Sequence, residues 1–575
     1  MSFKIRVFAL GGLDEHGKCM LGIELDQDLF VIEAGLKYPD RSNPGIDAII
    51  PNFDYLVKNR HRLRAYIVTH GHDDQFGALP YLYTKAPAPV YGTKATLALL
   101  KQFATENRLS VSFTEQLIQP TSHITIAGYH FHFFQTVHSV MDSCGFSIDT
   151  PYGNIVYSGD FIVEYNTSKN YKHDLNALAK IAEKETLLLL TESVSADRPG
   201  YCSPNHRLKD HLVLPFQMAQ GRIFIAMYNQ SVYNLEEVIK FSIEQNKKII
   251  FYDQETENYI KTFVDLGSLF LPKEKVISRE NHLRTAIRDE VIIMMGQGEK
   301  VYKKMDELAN NANEDKTFVL SDQDSFIVAC PSAPAFEVLA TDAVDGIYQT
   351  GAKVTNITRK QIRGMHAQEE DIKTFISLLK PKYYLPMKGE YVHLVANAKL
   401  AISAGTGLNH TNTFLMDNGQ VLEFNEGKPR LLTHDLDKVI TGDVLIDGLG
   451  VGDVKKDVIV QRQRLAEDGI VILGATISKK KKIIIAGPDI QMRGFVFVKE
   501  SENIIKEVTQ VFSAEIEDFL KHKAFQSLED FKLNVVEKIS KVLKRINGKN
   551  PVILPLIILY EDSEIISPPP TTSAS

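Results

Sequence analysis

The sequence predicts a multidomain α/β protein, and three patterns carry that prediction. The first two hundred residues are rich in short strands with helical stretches between them, which implies sheets covered by helices. Over residues 221–354 the rhythm changes to a regular alternation of apolar strands and amphipathic stretches, which implies a parallel sheet with its own helices. Residues 458–560 form a further compact α/β block. At 575 residues the chain exceeds what one hydrophobic core organises, so about two to four domains are expected.

Taken in order, residues 4–9, 21–25, 29–32, 63–68, 123–126, 130–136, 155–157 and 186–190 read as strands of the first block. In the alternating block, residues 222–227, 248–252, 291–294 and 326–329 read as apolar strands, separated by amphipathic stretches such as 232–244 and 299–309. A helix–strand unit of the first type returns at residues 377–385, so the alternating block reads as an insertion. Asp447-Gly448-Leu449-Gly450-Val451-Gly452-Asp453 has G-x-G-x-G spacing with no helix following. It reads as a linker or turn, not a dinucleotide fingerprint. The tail 565–575, with Pro568-Pro569-Pro570 followed by Thr, Ser and Ala, has nothing to bury and is expected to be disordered.

Apolar content of 44% and charged content of 24% suit an ordinary soluble globular protein. Met1-Ser2-Phe3-Lys4-Ile5 runs directly into a strand pattern, so no signal peptide is expected, and no apolar stretch is long enough to span a bilayer. Cys19, Cys144, Cys202 and Cys330 are widely spaced and form no C-x-x-C pair. That argues against a disulfide framework or a cysteine zinc site and suits a reducing cytoplasm, the expected location. A net charge of −7 gives no global attraction to nucleic acid, so a polyanion would need a locally basic groove.

The chemistry concentrates at Thr69-His70-Gly71-His72-Asp73-Asp74-Gln75. This run follows the apolar Ala65-Tyr66-Ile67-Val68 and precedes a predicted helix at 76–85, so imidazoles and carboxylates bunch at a strand-to-helix corner. Such a group suits a Zn²⁺-like or Mn²⁺-like ion. The usual motif ends in a third histidine, where this chain has Gln75, a neutral amide and a poor ligand. Two further segments offer donors: His138 ends a strand in Thr136-Val137-His138-Ser139, and Asp160 follows a strand and a turn glycine in Ile155-Val156-Tyr157-Ser158-Gly159-Asp160. His130 and His132 read as exposed strand residues.

The order H-x-H-x-D, a lone histidine and a strand-end aspartate resembles the metallo-β-lactamase fold. Longer motifs resemble one family within it, bacterial ribonuclease J. They are Gly11-Gly12-Leu13-Asp14-Glu15-His16-Gly17-Lys18, Gly35-Leu36-Lys37-Tyr38-Pro39, Arg198-Pro199-Gly200-Tyr201, Tyr384-Leu385-Pro386-Met387-Lys388-Gly389-Glu390-Tyr391, and Ser501-Glu502-Asn503 after Gly494-Phe495-Val496. The resemblance runs from Phe3 to about Tyr560. It implies a metallo-β-lactamase αββα sandwich with an inserted β-CASP α/β domain and a small C-terminal α/β domain. The boundaries expected are 1–207 and 368–447 for the sandwich, 208–367 for the β-CASP domain, 448–457 for a linker, 458–562 for the C-terminal domain and 563–575 for the tail.

The resemblance also implies a two-metal site. One position takes His70, His72, His138 and Asp160, all present. The other takes Asp74, Asp160 and two family histidines that are Gln75 and Lys388 here. Asp74, Glu192 and His366 fall on catalytic positions, with Glu192 where the family typically has aspartate; Glu33 is a similar exchange. His366 also belongs to the loop that holds the scissile phosphate, whose earlier histidine is Ile362 here, and residues 330–337 lack the family's Gly-Asn. Gln297 and Glu299, at the helix entry Gly296-Gln297-Gly298-Glu299, fall near the family's RNA path; plain helix entry is the alternative reading.

A protonated lysine has no lone pair and repels a divalent cation. Lys388 is therefore expected to stand in for the second ion by pairing with Asp74 and Asp160, leaving at most one weakly held Zn or Mn ion. The function this implies is that of a degenerate ribonuclease J paralogue in RNA decay and maturation. It would bind RNA, cleave weakly or not at all alone, and act in complex with an active paralogue, with a homodimer or tetramer formed through the C-terminal domain. The alternatives are a self-sufficient 5′-to-3′ exoribonuclease and endoribonuclease, and a structural or regulatory scaffold. Arg493-Gly494-Phe495-Val496-Phe497-Val498-Lys499-Glu500 partly matches an RNA-recognition strand but reads as a core strand, and Lys479-Lys480-Lys481-Lys482 reads as an exposed hairpin turn.

Overall fold

The computed structural model describes residues 3–560 apart from 41, 166–169, 285–288, 314–316, 333–335, 449, 496–500 and 522–526. The expected disordered tail and the run from Val496 to Glu500 lie outside the described residues. The chain divides into two compact units, Met1–Tyr38 with Ala48–Val451, and Pro39–Asp47 with Gly452–Ser575.

In the first unit two sheets share a core. One has eight strands in the spatial order Lys428–Leu432, Val421–Asn425, Lys4–Gly11, Met20–Leu25, Asp28–Ile32, Leu63–Ile67, Val90–Gly92 and Glu115–Leu117. The other has six, Tyr383–Met387, Thr186–Glu192, Gly153–Tyr157, Cys144–Thr150, Tyr129–Gln135 and His123–Ile126. Alternation along the strands sends Ile5, Val7, Phe30, Ile32 and Ile67 of the first sheet against Phe131, Phe133, Phe146, Ile155 and Leu188 of the second. Thr186–Glu192 is buried on both faces because helix Glu369–Leu379 covers its outer side, packing Phe375 and Ile376 with Val156 and Leu189. This is the αββα sandwich, with the second sheet completed by the late strand Tyr383–Met387.

The block between holds a five-stranded parallel sheet ordered Lys248–Phe251, Glu290–Gly296, Ile223–Tyr228, Ser325–Val328 and Lys353–Asn356. Helices Lys300–Ala309 and Glu337–Gln349 cover one face, where Val301, Tyr302, Met305, Ala343 and Ile347 meet Phe224, Ile292 and Met294. The other face contributes Ile225, Met227 and Ile293 to a core that also holds Leu79, Leu82, Leu99 and Val140 of the sandwich. The predicted helix at 76–85 is instead two short helices, Asp73–Phe76 and Leu79–Leu82, the second with Pro80 in its first turn, where a proline starts a helix readily.

The second unit is a three-stranded sheet ordered Ile483–Arg493, Ile470–Ser478 and Val552–Leu559. Helices Ser501–Lys521 and Leu528–Asn547 press Val508, Phe512, Ile516, Val535 and Ile539 onto its Val471, Leu473 and Ile477. Phe495 is buried in the same core, and Lys479 to Lys482 form the turn between the first two strands. The edge strand Val552–Leu559 turns Leu554, Leu556 and Ile558 outward, all exposed. Cys19, Cys144, Cys202 and Cys330 are free, buried thiols, and burial pushes each of their pKa values up.

Candidate metal centre

The candidate residues gather at the carboxyl ends of strands from both sheets, where open α/β sheets present ligand sites. Strand Leu63–Ile67 delivers Thr69, His70 and His72, and Asp73 and Asp74 open the short helix after it. That corner is stitched down by backbone bonds: Cys19 N–H to Asp74 O (3.2 Å), Ala34 N–H to Gln75 O (2.5 Å) and Leu36 N–H to Asp73 O (3.0 Å). Gly35 permits the approach, since a Cβ there would lie 1.6 Å from the Asp74 carbonyl oxygen. Asp160 follows Gly153–Tyr157 through Gly159, whose φ is +62°. Lys388 follows Tyr383–Met387 with a left-handed φ of 56°.

His70, His72 and His138 offer one donor atom each, all within 4.8 Å of one another. The other nitrogen of each ring fixes its tautomer. His138 Nδ1 donates to Met365 O at 2.6 Å, and His72 Nε2 donates to Gln230 O at 3.2 Å. The Thr69 hydroxyl donates to Glu33 Oε1 at 2.5 Å, so its oxygen accepts from His70 Nδ1 at 3.0 Å. This leaves lone pairs on His138 Nε2 and His72 Nδ1, 3.2 Å apart, and on the buried His70 Nε2, which has no hydrogen-bond partner among the described residues. Three converging lone pairs repel one another unless a cation accepts them. Burial pushes the pKa of His70 and His138 well below the usual histidine range and lowers that of His72, so the imidazoles stay neutral, as metal ligands must. Asp160 Oδ2 lies 3.5 Å from His70 Nε2 and 3.6 Å from His138 Nε2.

On the other side of Asp160 stands Lys388. Its ammonium hydrogen-bonds Asp160 Oδ2 and lies 2.8 Å from Asp74 Oδ2. Burial disfavours the charged ammonium, but Asp160 and Asp74 outweigh it and hold the pKa well above the usual lysine range. In return, against the opposing effect of burial, Lys388 and His72 lower Asp74 to about 2, and Lys388 and His138 lower Asp160 further. Gln75 is fully buried; its Nε2 donates to Asp74 Oδ2 at 2.9 Å and to Cys19 Sγ at 3.7 Å. Asp74 Oδ2 is thus spent on two donors.

Glu192 and His366 meet beside this pair. His366 Nδ1 lies 2.6 Å from Glu192 Oε2 and 3.7 Å from Asp160 Oδ2, and the N–H groups of Phe161 and Ala367 donate to Glu192 Oε1. Burial opposes charge on His366, yet Glu192 and Asp160 raise its pKa. Gln297 hydrogen-bonds Asp73 Oδ2, which also accepts from Tyr38 Oη at 2.5 Å, while Gln230 Nε2 donates to Asp73 Oδ1 at 2.8 Å. Glu299 is the exposed N-cap of helix Lys300–Ala309 and pairs with Lys303. Sequence reasoning missed Thr69, Asp73, Gln230 and the Met365 carbonyl. Thr69 and Asp73 lie within the quoted motif but were assigned no role there; Gln230 and Met365 carry no local signal.

The sandwich, its inserted parallel sheet and this His/Asp cluster define a metallo-β-lactamase-type protein of the β-CASP branch. Family models match accordingly: the metallo-beta-lactamase superfamily over residues 23–252, the ribonuclease J beta-CASP domain over 220–347 and the ribonuclease J C-terminal domain over 457–559. Similar proteins include Ribonuclease J 2 of Staphylococcus epidermidis, 33% identical over 555 residues, 96% of this chain and 98% of the relative. Ribonuclease J 2 of Staphylococcus aureus is 32% identical over 554 residues, with the same shares. A crystal structure of a protein of unknown function from Enterococcus faecalis V583 matches with a TM-score of 0.50 at 15% identity. It covers 75% of this chain and all of that one, a likeness of fold alone. The chain belongs to the ribonuclease J family. The family acts on RNA, and its metallo-β-lactamase fold implies divalent-metal binding, for which the three imidazoles and Asp160 are a fitting donor set. No helix among the described residues is long and apolar enough to cross a membrane.

Proposed function

We propose that this chain is a ribonuclease J subunit whose two-metal site has lost its second position, so that it binds RNA, cleaves it weakly or not at all alone, and works in complex with an active paralogue. The observation that carries this reading is the Lys388 ammonium seated between Asp74 and Asp160. Two-metal hydrolysis needs ions about 3.5–4 Å apart, holding the attacking and leaving oxygens together. An ion about 4 Å from the ammonium would meet a repulsion of about 8 kcal/mol at an effective dielectric constant of about 20. Asp74 and Gln75 offer too little to offset that.

His70, His72 and His138, with Asp160 beside them, would hold one Zn²⁺ or Mn²⁺ ion, weakly because Lys388 withdraws Asp160. Such an ion supplies Lewis acidity and lowers the pKa of water. Glu192 holds His366 in place as a charged donor toward a scissile phosphate, and Asp74, tied to Lys388 and Gln75, is a poor base. The exposed Leu554, Leu556 and Ile558 support assembly into a homodimer or tetramer through the second unit.

The test is an assay on 5′-monophosphorylated RNA with the purified chain, its His72→Ala and Asp74→Ala variants, and mixtures with an active paralogue. Negligible cleavage alone, with an altered rate or cleavage pattern in the mixture, is expected. A second reading, a self-sufficient exo- and endonuclease, draws on the intact imidazole cluster and the Glu192–His366 pair; robust cleavage alone that vanishes in both variants would establish it.

A further inference from the structure

Apart from that centre, a second donor cluster stands on the turn that carries Lys388. Helix Tyr391–Ser403 starts from the N-cap Glu390, and His393 N–H returns to the Glu390 carbonyl at 2.9 Å, so the two side chains share one side of the first turn. His16 faces them from the loop at residues 11–18, which is fastened to this turn. Glu15 N–H donates to Gly389 O at 3.2 Å, and Tyr391 N–H donates to Asp14 Oδ1 at 2.9 Å. Gly389 permits the close fit, with a φ of +118° and a Cβ that would lie 3.3 Å from His393 Cβ. His16 Nε2 lies 3.3 Å from Glu390 Oε1, and one donor atom from each of His16, Glu390 and His393 falls within 4.8 Å of the others. His393 Nδ1 is buried and has no hydrogen-bond partner among the described residues.

We propose that His16, Glu390 and His393 bind one divalent transition-metal ion of the Zn²⁺ class, at a site separate from the His70–His72–His138 centre, which clamps the 11–18 loop to the turn carrying Lys388. Two imidazoles and one carboxylate suit Zn²⁺, Co²⁺ or Ni²⁺; Ca²⁺ and Mg²⁺ call for oxygen cages. Tetrahedral bonds of about 2.0–2.2 Å place neighbouring donors about 3.3–3.6 Å apart. The His16–Glu390 pair already stands at 3.3 Å, and a donor atom of His393 lies within 4.8 Å of both. An exposed His–Glu ion pair contributes little and accounts neither for the third donor nor for the orphaned nitrogen.

Co²⁺, whose visible absorption reports tetrahedral coordination, tests it by titration and equilibrium dialysis of the full chain. The expected result is one fewer equivalent bound in His16→Ala and in His393→Gln than in the unaltered chain, with that equivalent retained in His138→Ala. His16 is exposed, His393 is half-buried and neither belongs to a hydrophobic core, so metal-free melting should stay close to that of the unaltered chain. Zn²⁺ should raise the melting temperature of the unaltered chain more than that of either rim variant, by linkage. Equal stoichiometry in all chains, or loss of the equivalent only at millimolar Co²⁺, which marks adventitious binding, overturns the proposal. Should His138→Ala fail to fold, the difference between the unaltered chain and the rim variants decides alone.

Discussion

Lys388 is 7% exposed and lies against two carboxylates that, among the described residues, no other cation balances as closely. Removing one partner of such a buried pair typically costs about 3–5 kcal/mol, so Lys388→Met should lose about that much in denaturant unfolding, and adding Asp74→Asn should restore part of it. The pH dependence follows from the shifts. Asp74 falls to about 2 in the fold from an unfolded value near 3.9, so its contribution is present above about pH 4 and lost as pH falls through about 2. Lys388 is raised, so its contribution is present below its unfolded value near 10.4 and lost only as pH rises through the higher folded value. The stability gap between the unaltered chain and Lys388→Met should therefore be flat from about pH 5 to 10 and shrink toward pH 2. Gln75→His with Lys388→His should bind one more Mn²⁺ equivalent by dialysis and increase RNA cleavage by at least about tenfold. The side-chain partners here were legible because motif positions name them. The relay from Glu33 through Thr69 to His70 was not, since its acid stands 36 residues before the threonine, and the carbonyls of Gln230 and Met365 were not, since a backbone oxygen has no residue identity to read.

At the scale of elements, the corner after Leu63–Ile67 depends on close backbone approach. Gly35→Ala would drive a methyl group into the Asp74 carbonyl, so a loss of about 3 kcal/mol or more is expected, together with reduced metal retention measured by dialysis. Strands with strong apolar runs were readable, and the amphipathic stretch at 232–244 coincides with helix Val232–Glu244. Strand Cys144–Thr150 was not, because Gly145, Ser147 and Asp149 interrupt the apolar pattern that its neighbours supply in the sheet. The broken helix after Asp73 was equally hidden, since backbone bonds from Ala34 and Leu36 compete for its carbonyls.

Across the whole molecule, the insertion was visible as a change of rhythm and the return of a helix–strand unit near residue 377. What no periodicity discloses is that the inserted sheet and the sandwich share one core, or that residues 39–47 belong with the second unit. The outward Leu556 and Ile558 make no part of that unit's core, so Leu556→Glu with Ile558→Lys should leave its melting unchanged while lowering the sedimentation coefficient of the full chain. The four free thiols, finally, make the molecule its own reporter of opening. With every sulfur buried and its thiolate disfavoured, a maleimide reaches each only when that region opens, so the labelling rate at each site reads a local opening free energy. Cys19 sits against Gln75 beneath the Lys388 pair, whereas Cys330 lies in the inserted sheet's core. Lys388→Met should therefore hasten modification of Cys19 well before that of Cys330, a loosening localised by mass spectrometry of the tagged peptides.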